Sequence, residues 1–335
     1  MTSTLAFDIT QFFLSLNHCL LPLILRKAGF DPKINCFFSN YLVGRKTWYF
    51  WNSFSSSFFN IDIGVGQGLA LSPILSVLYL APILYILKIL KILVSILSFV
   101  DNSLLVAQSK SLTILNSFLF CSYNIASFLL EKFGLIIEYG KMEVFHFSRS
   151  HGVFDPPLLN LSALGGPILF SRDTWKYLSF IFDKKLSFHQ HINNYMNKSI
   201  STVKCMKILG NSVHGLISHQ KRLLYRSCVL PITLYSFQLW FYNKAPLSYP
   251  LKELRKMQRR VAIWILDVFW TLSLFGIEAI VDLIPIQLHL CKLSDKAQLR
   301  AYSLPHNHIL HLLLKSRPSL CNDPHHFSLD LLSSY

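Results

Sequence analysis

Ser98-Phe99-Val100-Asp101-Asn102-Ser103-Leu104-Leu105 is the stretch that decides how the rest of the chain is read. An apolar run from Ile96 to Val100 meets the polar Asp101-Asn102-Ser103 and gives way to a second apolar run, Leu104 to Ala107. Two apolar runs around Asp/Asn turn chemistry predict a β-hairpin over 95–108, with Asp101-Asn102-Ser103 as its turn. Taken alone, Asp101 reads more readily as a turn former than as a site residue.

Two features upstream give it a context. Leu5-Ala6-Phe7-Asp8-Ile9 reads as a strand that runs into Phe12 and Phe13, over 3–13. A lone acid in such a strand is costly to bury unless something pairs with it. Gly64-Val65-Gly66-Gln67-Gly68 is a glycine loop between a strand and a helix over 58–90. Ser72-Pro73 then supplies a helix N-cap and a proline at the first helical position.

The remaining pattern is coarser. Helices are expected over 16–30 and after 33, the latter leading into an aromatic-rich stretch. Residues 111–134 read as a helix ending at Gly134, and 135–149 as a strand pair around Gly140-Lys141. Another hairpin region is expected over 167–188. Beyond 189 the pattern becomes helical, which places a boundary near 185–190.

Composition narrows the class. The chain has 335 residues, 52% hydrophobic and only 15% charged, which excludes an intrinsically disordered protein. Lys and Arg total 32 against 17 Asp and Glu, a net charge of +15 that points to a polyanionic partner. The seven cysteines are odd in number and widely spaced, so they read as reduced, mostly buried residues of an intracellular protein. No basic segment precedes an apolar run at the N-terminus, so no secretory signal is read. His306, His308, His311, His325 and His326 lie near Cys321 in no standard zinc spacing.

The order F7-D-I-T-Q-F-F13, then G64-V-G-Q-G-L-A-L-S-P73, then S98-F-V-D-N-S-L-L105 resembles the palm of a reverse transcriptase of LINE-type, non-LTR retrotransposons. G134-L-I-I-E-Y-G-K-M-E-V-F-H-F147 and W175-K-Y-L-S-F-I-F-D183 resemble the two palm motifs that follow, and Lys198 to Trp240 the connection after them. The resemblance implies an α+β fold. Residues 1–185 would form a partial polymerase palm, an antiparallel sheet with backing helices. Residues 186–280 would form a basic helical thumb, and 281–335 a helical or loosely ordered tail. It also implies RNA-directed DNA synthesis on an RNA template and DNA primer with deoxynucleoside triphosphates. Asp8 and Asp101 would be catalytic metal ligands for two Mg²⁺ ions, because two-metal phosphoryl transfer needs carboxylates on hard cations. Asn102 takes the third catalytic position. Phe13, Gln67, Gly68 and Lys141 match nucleotide-binding positions. The resemblance is compatible with a nuclear location.

This sequence departs from the family in ways that bear on activity. The family's hairpin carries two consecutive aspartates, and the second is here Asn102, which brings no negative charge. Leu69 and Ser179 replace a small polar residue and a glycine. Relatives carry a fingers region, and usually an endonuclease domain, ahead of the first catalytic aspartate, which here is Asp8. A truncated chain with impaired or absent polymerase activity is therefore expected, or a catalytically dead nucleic-acid-binding remnant.

Between Lys184 and Arg260 stand 14 Lys or Arg and one acid, Glu253. Lys221, Arg222 and Arg226 share helical spacing, as do Lys252, Arg255, Lys256, Arg259 and Arg260. Both groups are read as phosphate-backbone contacts. A second alternative is a small membrane protein, because Leu69 to Leu87 is 19 residues long without a charge. Pro73, Pro82, the glycine loop before them and the polar hairpin after them favour a buried helix, so no membrane partner is expected.

Overall fold

The computed structural model describes residues 1–90, 94–148, 157–209, 215–241, 248–305 and 308. The chain divides into two compact units, one ending at Leu186 and one beginning at Ser187.

The first unit starts with strand β1 (Thr2–Ile9), followed by helices α1 (Leu20–Lys27) and α2 (Pro32–Leu42). Asp31 caps α2 by accepting from the Lys33 amide at 2.7 Å. Short strands β2 (Lys46–Thr47), β3 (Phe50–Trp51), β4 (Phe54–Ser55) and β5 (Phe59–Asn60) build a two-stranded arm. Helix α3 (Ser72–Ile89), the hairpin β6 (Val94–Phe99) and β7 (Asn102–Gln108), helix α4 (Leu112–Lys132) and strand β8 (Ile137–Phe147) follow. Strands β9 (Leu159–Asn160) and β10 (Ile168–Leu169) pair, as do β11 (Thr174–Tyr177) and β12 (Phe180–Asp183).

The order β6-β7-β1-β8 makes an antiparallel sheet with β1 inside it. A strand covered on both faces needs a nearly continuous apolar run, and Leu5, Ala6, Phe7 and Ile9 are all buried. Leu5, Phe7, Leu105, Ala107 and Val144 share one core with Tyr79, Leu80 and Ile83 of α3 and with Leu119 and Tyr123 of α4. Ala6, Leu104 and Phe145 form a second cluster with Trp175 of β11. The fold is thus α+β, an antiparallel sheet with backing helices.

Helices α3 and α4 are both long and apolar enough to cross a membrane. Each buries one side in the core of the unit, and the Tyr79 hydroxyl on α3 donates to the Phe133 carbonyl at 2.6 Å.

Several local expectations need correction. The first strand stops at Ile9, because Gln11 turns the backbone to φ 45° and Phe12–Leu14 forms a short 3₁₀ turn. The hairpin tip is Val100-Asp101, with Val100 at φ 57°; Asn102 and Ser103 already pair in β7. Residues 137–147 are one strand, not two. Gly140-Lys141 lies in a bulge, since Asp8 pairs with Glu138 but Ala6 with Glu143. Ser72 does not cap α3; its hydroxyl donates to the Gly66 carbonyl at 2.6 Å instead. All six described cysteines are exposed rather than buried.

The second unit is helical among the described residues. It contains α5 (His189–Met206), α6 (Ser218–Leu224), α7 (Leu230–Thr233), α8 (Phe237–Trp240), α9 (Ser248–Leu266), α10 (Leu274–Val281) and α11 (Ile286–Tyr302). A π-helical turn at Tyr225–Val229 joins α6 to α7. Of the C-terminal histidines only His308 lies within the described residues; Cys321 and the others lie outside them.

Candidate active site and nucleic-acid interface

The sheet register builds the first site. Reading across the strands, Glu138, Asp8, Asn102 and Phe99 stand opposite one another on β8, β1, β7 and β6. Directly opposed residues share a face, so these four side chains form one row. Asp101 sits beside the row at the hairpin tip, where its carbonyl accepts from the Ile9 amide at 3.1 Å. The structure therefore brings Asp8, Asp101 and Asn102 together from segments far apart in the chain.

The electrostatics of the row differ from those of an acidic metal cage. The β8 bulge carries Lys141 over Asp8, and its ammonium lies 2.8 Å from Asp8 Oδ2 and 2.9 Å from Glu138 Oε2. These two hydrogen-bonded carboxylates raise the Lys141 pKa and keep the ammonium charged. Asn102 Nδ2 donates to Asp101 Oδ1 at 2.9 Å. Asp8 Oδ1 is buried and has no hydrogen-bond partner. Glu138 belongs to this site and is not legible as a site residue in the sequence. Its one signal is the i, i+3 spacing to Lys141, and an acid in a strand carries no distinctive pattern.

Donor chemistry tests the two expected Mg²⁺ ions. Among the described residues no group of three or more His, Cys, Asp or Glu is arranged to hold a metal. Asp8 Oδ2 already faces an ammonium, and the third position is an amide. This donor set does not fit a pair of divalent ions. Asp8 Oδ1, buried and unpaired, is left as a carboxylate oxygen of the kind hard cations take.

The glycine loop is fixed to the segment after β1. Gly64 N donates to Leu16 O at 2.7 Å, Val65 N to Phe13 O at 2.6 Å, and Arg45 Nη1 to Gly64 O at 3.3 Å. Phe13 is part-buried against the core, and its backbone holds the loop. Gln67, Gly68 and Leu69 are exposed at the end of the loop before α3.

The cations of the second unit fall into two sets. Lys221, expected on a phosphate-binding face, has a side chain only 2% exposed. Its ammonium donates to Asp267 Oδ2 at 2.6 Å and to the Trp264 carbonyl at 3.3 Å. Arg222 and Arg226 both reach Asp282, and each donates to a carbonyl at the end of α10. These three residues neutralise two helix C-termini, where cations are favoured. Arg255 donates to Gln287, Lys256 to Glu253, and Arg259 to the Trp270 and Leu272 carbonyls. Lys252 is exposed on α9. Arg260 lines a groove of about 430 Å³ with Lys204 and Lys207. All three are exposed. Trp175 and Trp240 are core residues.

A probable RNA-directed DNA polymerase from transposon BS of Drosophila melanogaster is 32% identical to this chain over 77 residues. Over that stretch the chain is similar to a reverse transcriptase. The match covers 23% of this chain and 8% of that polymerase. No family model matches the sequence. Among solved structures, apo telomerase of Candida tropicalis is 15% identical to this chain, with a TM-score of 0.41, covering 93% of this chain and 53% of that one. Telomerase of the same species in complex with a telomeric RNA fragment is 15% identical, with a TM-score of 0.38, covering 95% and 49%.

Proposed function

We propose that this chain is the palm and thumb of a non-LTR retrotransposon reverse transcriptase in which catalysis is impaired and nucleic-acid binding is retained. The observation that carries the reading is the register of Asp8 with Asn102, with Asp101 at the adjoining hairpin tip. That row is where an RNA-directed DNA polymerase would place the primer 3′ hydroxyl and the α-phosphate of a deoxynucleotide. Asp8 and Asp101 would hold Mg²⁺, which when bound supplies positive charge to the transferring phosphoryl group. Gln67 and Gly68 would lie against the nucleotide and template. Phe13 would act through the loop that its carbonyl holds. Lys141 would reach an incoming triphosphate only by leaving Asp8 and Glu138.

Two features support impairment. Asn102 removes a carboxylate, and Lys141 supplies to Asp8 a positive charge that a second ion would otherwise bring. Binding of a template–primer duplex is assigned to Lys204, Lys207 and Arg260, which line one groove. Primer extension on an RNA template tests the reading. The chain as it stands is expected to bind the duplex in a salt-sensitive way and to extend it little. Asn102→Asp is expected to raise extension roughly tenfold, and Asp8→Asn to abolish that gain. Robust synthesis that survives Asp8→Asn would overturn the assignment of the site.

A further inference from the structure

The arm built by residues 45–60 presents open aromatic rings. Phe50, Trp51 and Phe54 at its tip are 71%, 76% and 66% exposed. The register pairs Trp51 with Phe54 across the tip turn, where Asn52 takes φ 51°. Below the tip, the Trp48 and Phe58 rings meet edge to face at 5.1 Å, and Tyr49 and Phe59 pack at 5.2 Å. These pairs stiffen the ribbon without covering it. An isolated two-stranded ribbon has no hydrophobic core of its own, so open rings at its tip cost stability unless a partner covers them.

Charge, position and ring geometry select the partner. Arg45 and Lys46 are the charges of the arm, and no acid occurs from 32 to 61. Arg45 ties the root of the arm to the Gly64 carbonyl, while the Ile61 amide donates back to the Arg45 carbonyl. The arm therefore rises from the glycine loop that ends in Gln67 and Gly68. Planar rings with open faces, on an arm whose charges are all positive and lie at its root, form a surface that unpaired bases stack on.

We propose that the 45–60 arm is a stacking platform for single-stranded nucleic acid, with Phe50, Trp51 and Phe54 taking bases and Lys46 a phosphate. This goes beyond the duplex contacts assigned to the second unit, and it rests on the reading of the chain as a nucleic-acid enzyme only for the identity of the strand. A lipid surface is the competing partner for such rings, and the test includes it.

The experiment uses the full chain, a labelled oligouridine of roughly ten nucleotides, and the variant Phe50→Ser/Trp51→Ser/Phe54→Ser. The three tip positions lie outside the buried core, and circular dichroism checks that the fold survives. The variant is expected to bind the single strand about tenfold more weakly and a base-paired duplex unchanged. Tryptophan fluorescence of the parent should be quenched by the oligonucleotide. Unchanged single-strand affinity, or equal loss for strand and duplex, would overturn the proposal. Sedimentation of the parent with phosphatidylcholine–phosphatidylserine vesicles, lost in the variant, would overturn it in favour of a membrane. Asp8→Asn made in the Asn102→Asp chain separates the two readings, because it abolishes the gained primer extension and leaves stacking on the arm intact.

Discussion

Lys221 Nζ lies 2.6 Å from Asp267 Oδ2, and the lysine side chain is buried while the aspartate is 38% exposed. Asp267 follows the last residue of α9 at φ 53°, so its carboxylate sits beside the negative end of a helix. The lysine offsets both that charge and the Trp264 carbonyl. Lys221→Met is expected to destabilise the second unit by about 2 kcal/mol, less than for a fully buried pair because water reaches Asp267. A double-mutant cycle with Asp267→Asn, read by urea denaturation, should return most of that loss as coupling. Additive single effects would show that the pair contributes nothing.

Gly64 and Gly68 both have positive φ, 81° and 84°, but their surroundings differ. A Cβ on Gly64 would lie 2.6 Å from the Leu14 carbonyl oxygen, whereas one on Gly68 meets nothing within 4 Å. Gly68→Ala should therefore cost about 1 kcal/mol, the strain of a left-handed backbone alone. Gly64→Ala should cost about 3 kcal/mol, because backbone must also move. Thermal melts of the two variants rank them; equal losses would mean that the loop is not held against the segment after β1.

The contrast between these regions shows which parts of the molecule are legible in the sequence. The β6–β7 hairpin and the strand β1 stand out as apolar runs around polar turns, but only the resemblance of the motif order to a polymerase palm implies that Asp8 lies beside Asp101. The bulge at Gly140-Lys141 reads as a turn, because a glycine beside a polar residue marks both. Lys221 misleads for a different reason. Counting cations from Lys184 to Arg260 stops just short of Asp267 and Asp282, the acids that neutralise Lys221, Arg222 and Arg226. Helical spacing finds a basic face but not what the tertiary fold sets against it.

Leu178 and Ser179 occupy the two-residue turn between β11 and β12 at φ 46° and 65°. Such a turn matches the twist of a hairpin but requires left-handed backbone at both central positions, which glycine adopts without strain. Ser179→Gly is expected to stabilise the first unit by about 0.5 kcal/mol, the relief of strain less the extra freedom of the unfolded glycine. A rise in melting temperature checks the sign. A fall would mean that the Ser179 side chain contributes more than its backbone costs.

His146 is fully buried on β8, with Nδ1 2.6 Å from Ser3 Oγ and Nε2 unpaired. Burial, with the charge of Lys184 nearby, lowers its pKa from 6.5 to about 4. The folded state therefore binds a proton less readily than the unfolded state. The sign follows from linkage: stability from a neutral His146 is complete above the unfolded pKa and falls as pH drops from about 6.5 toward 4. Between about pH 7 and about pH 5 the loss from this residue should be about 2 kcal/mol. Urea denaturation of the parent and of His146→Gln at both values measures it. The parent should lose more stability than the variant over that interval. Parallel losses would show that His146 is protonated in the folded chain without penalty, and that the Ser3 contact does not hold it neutral.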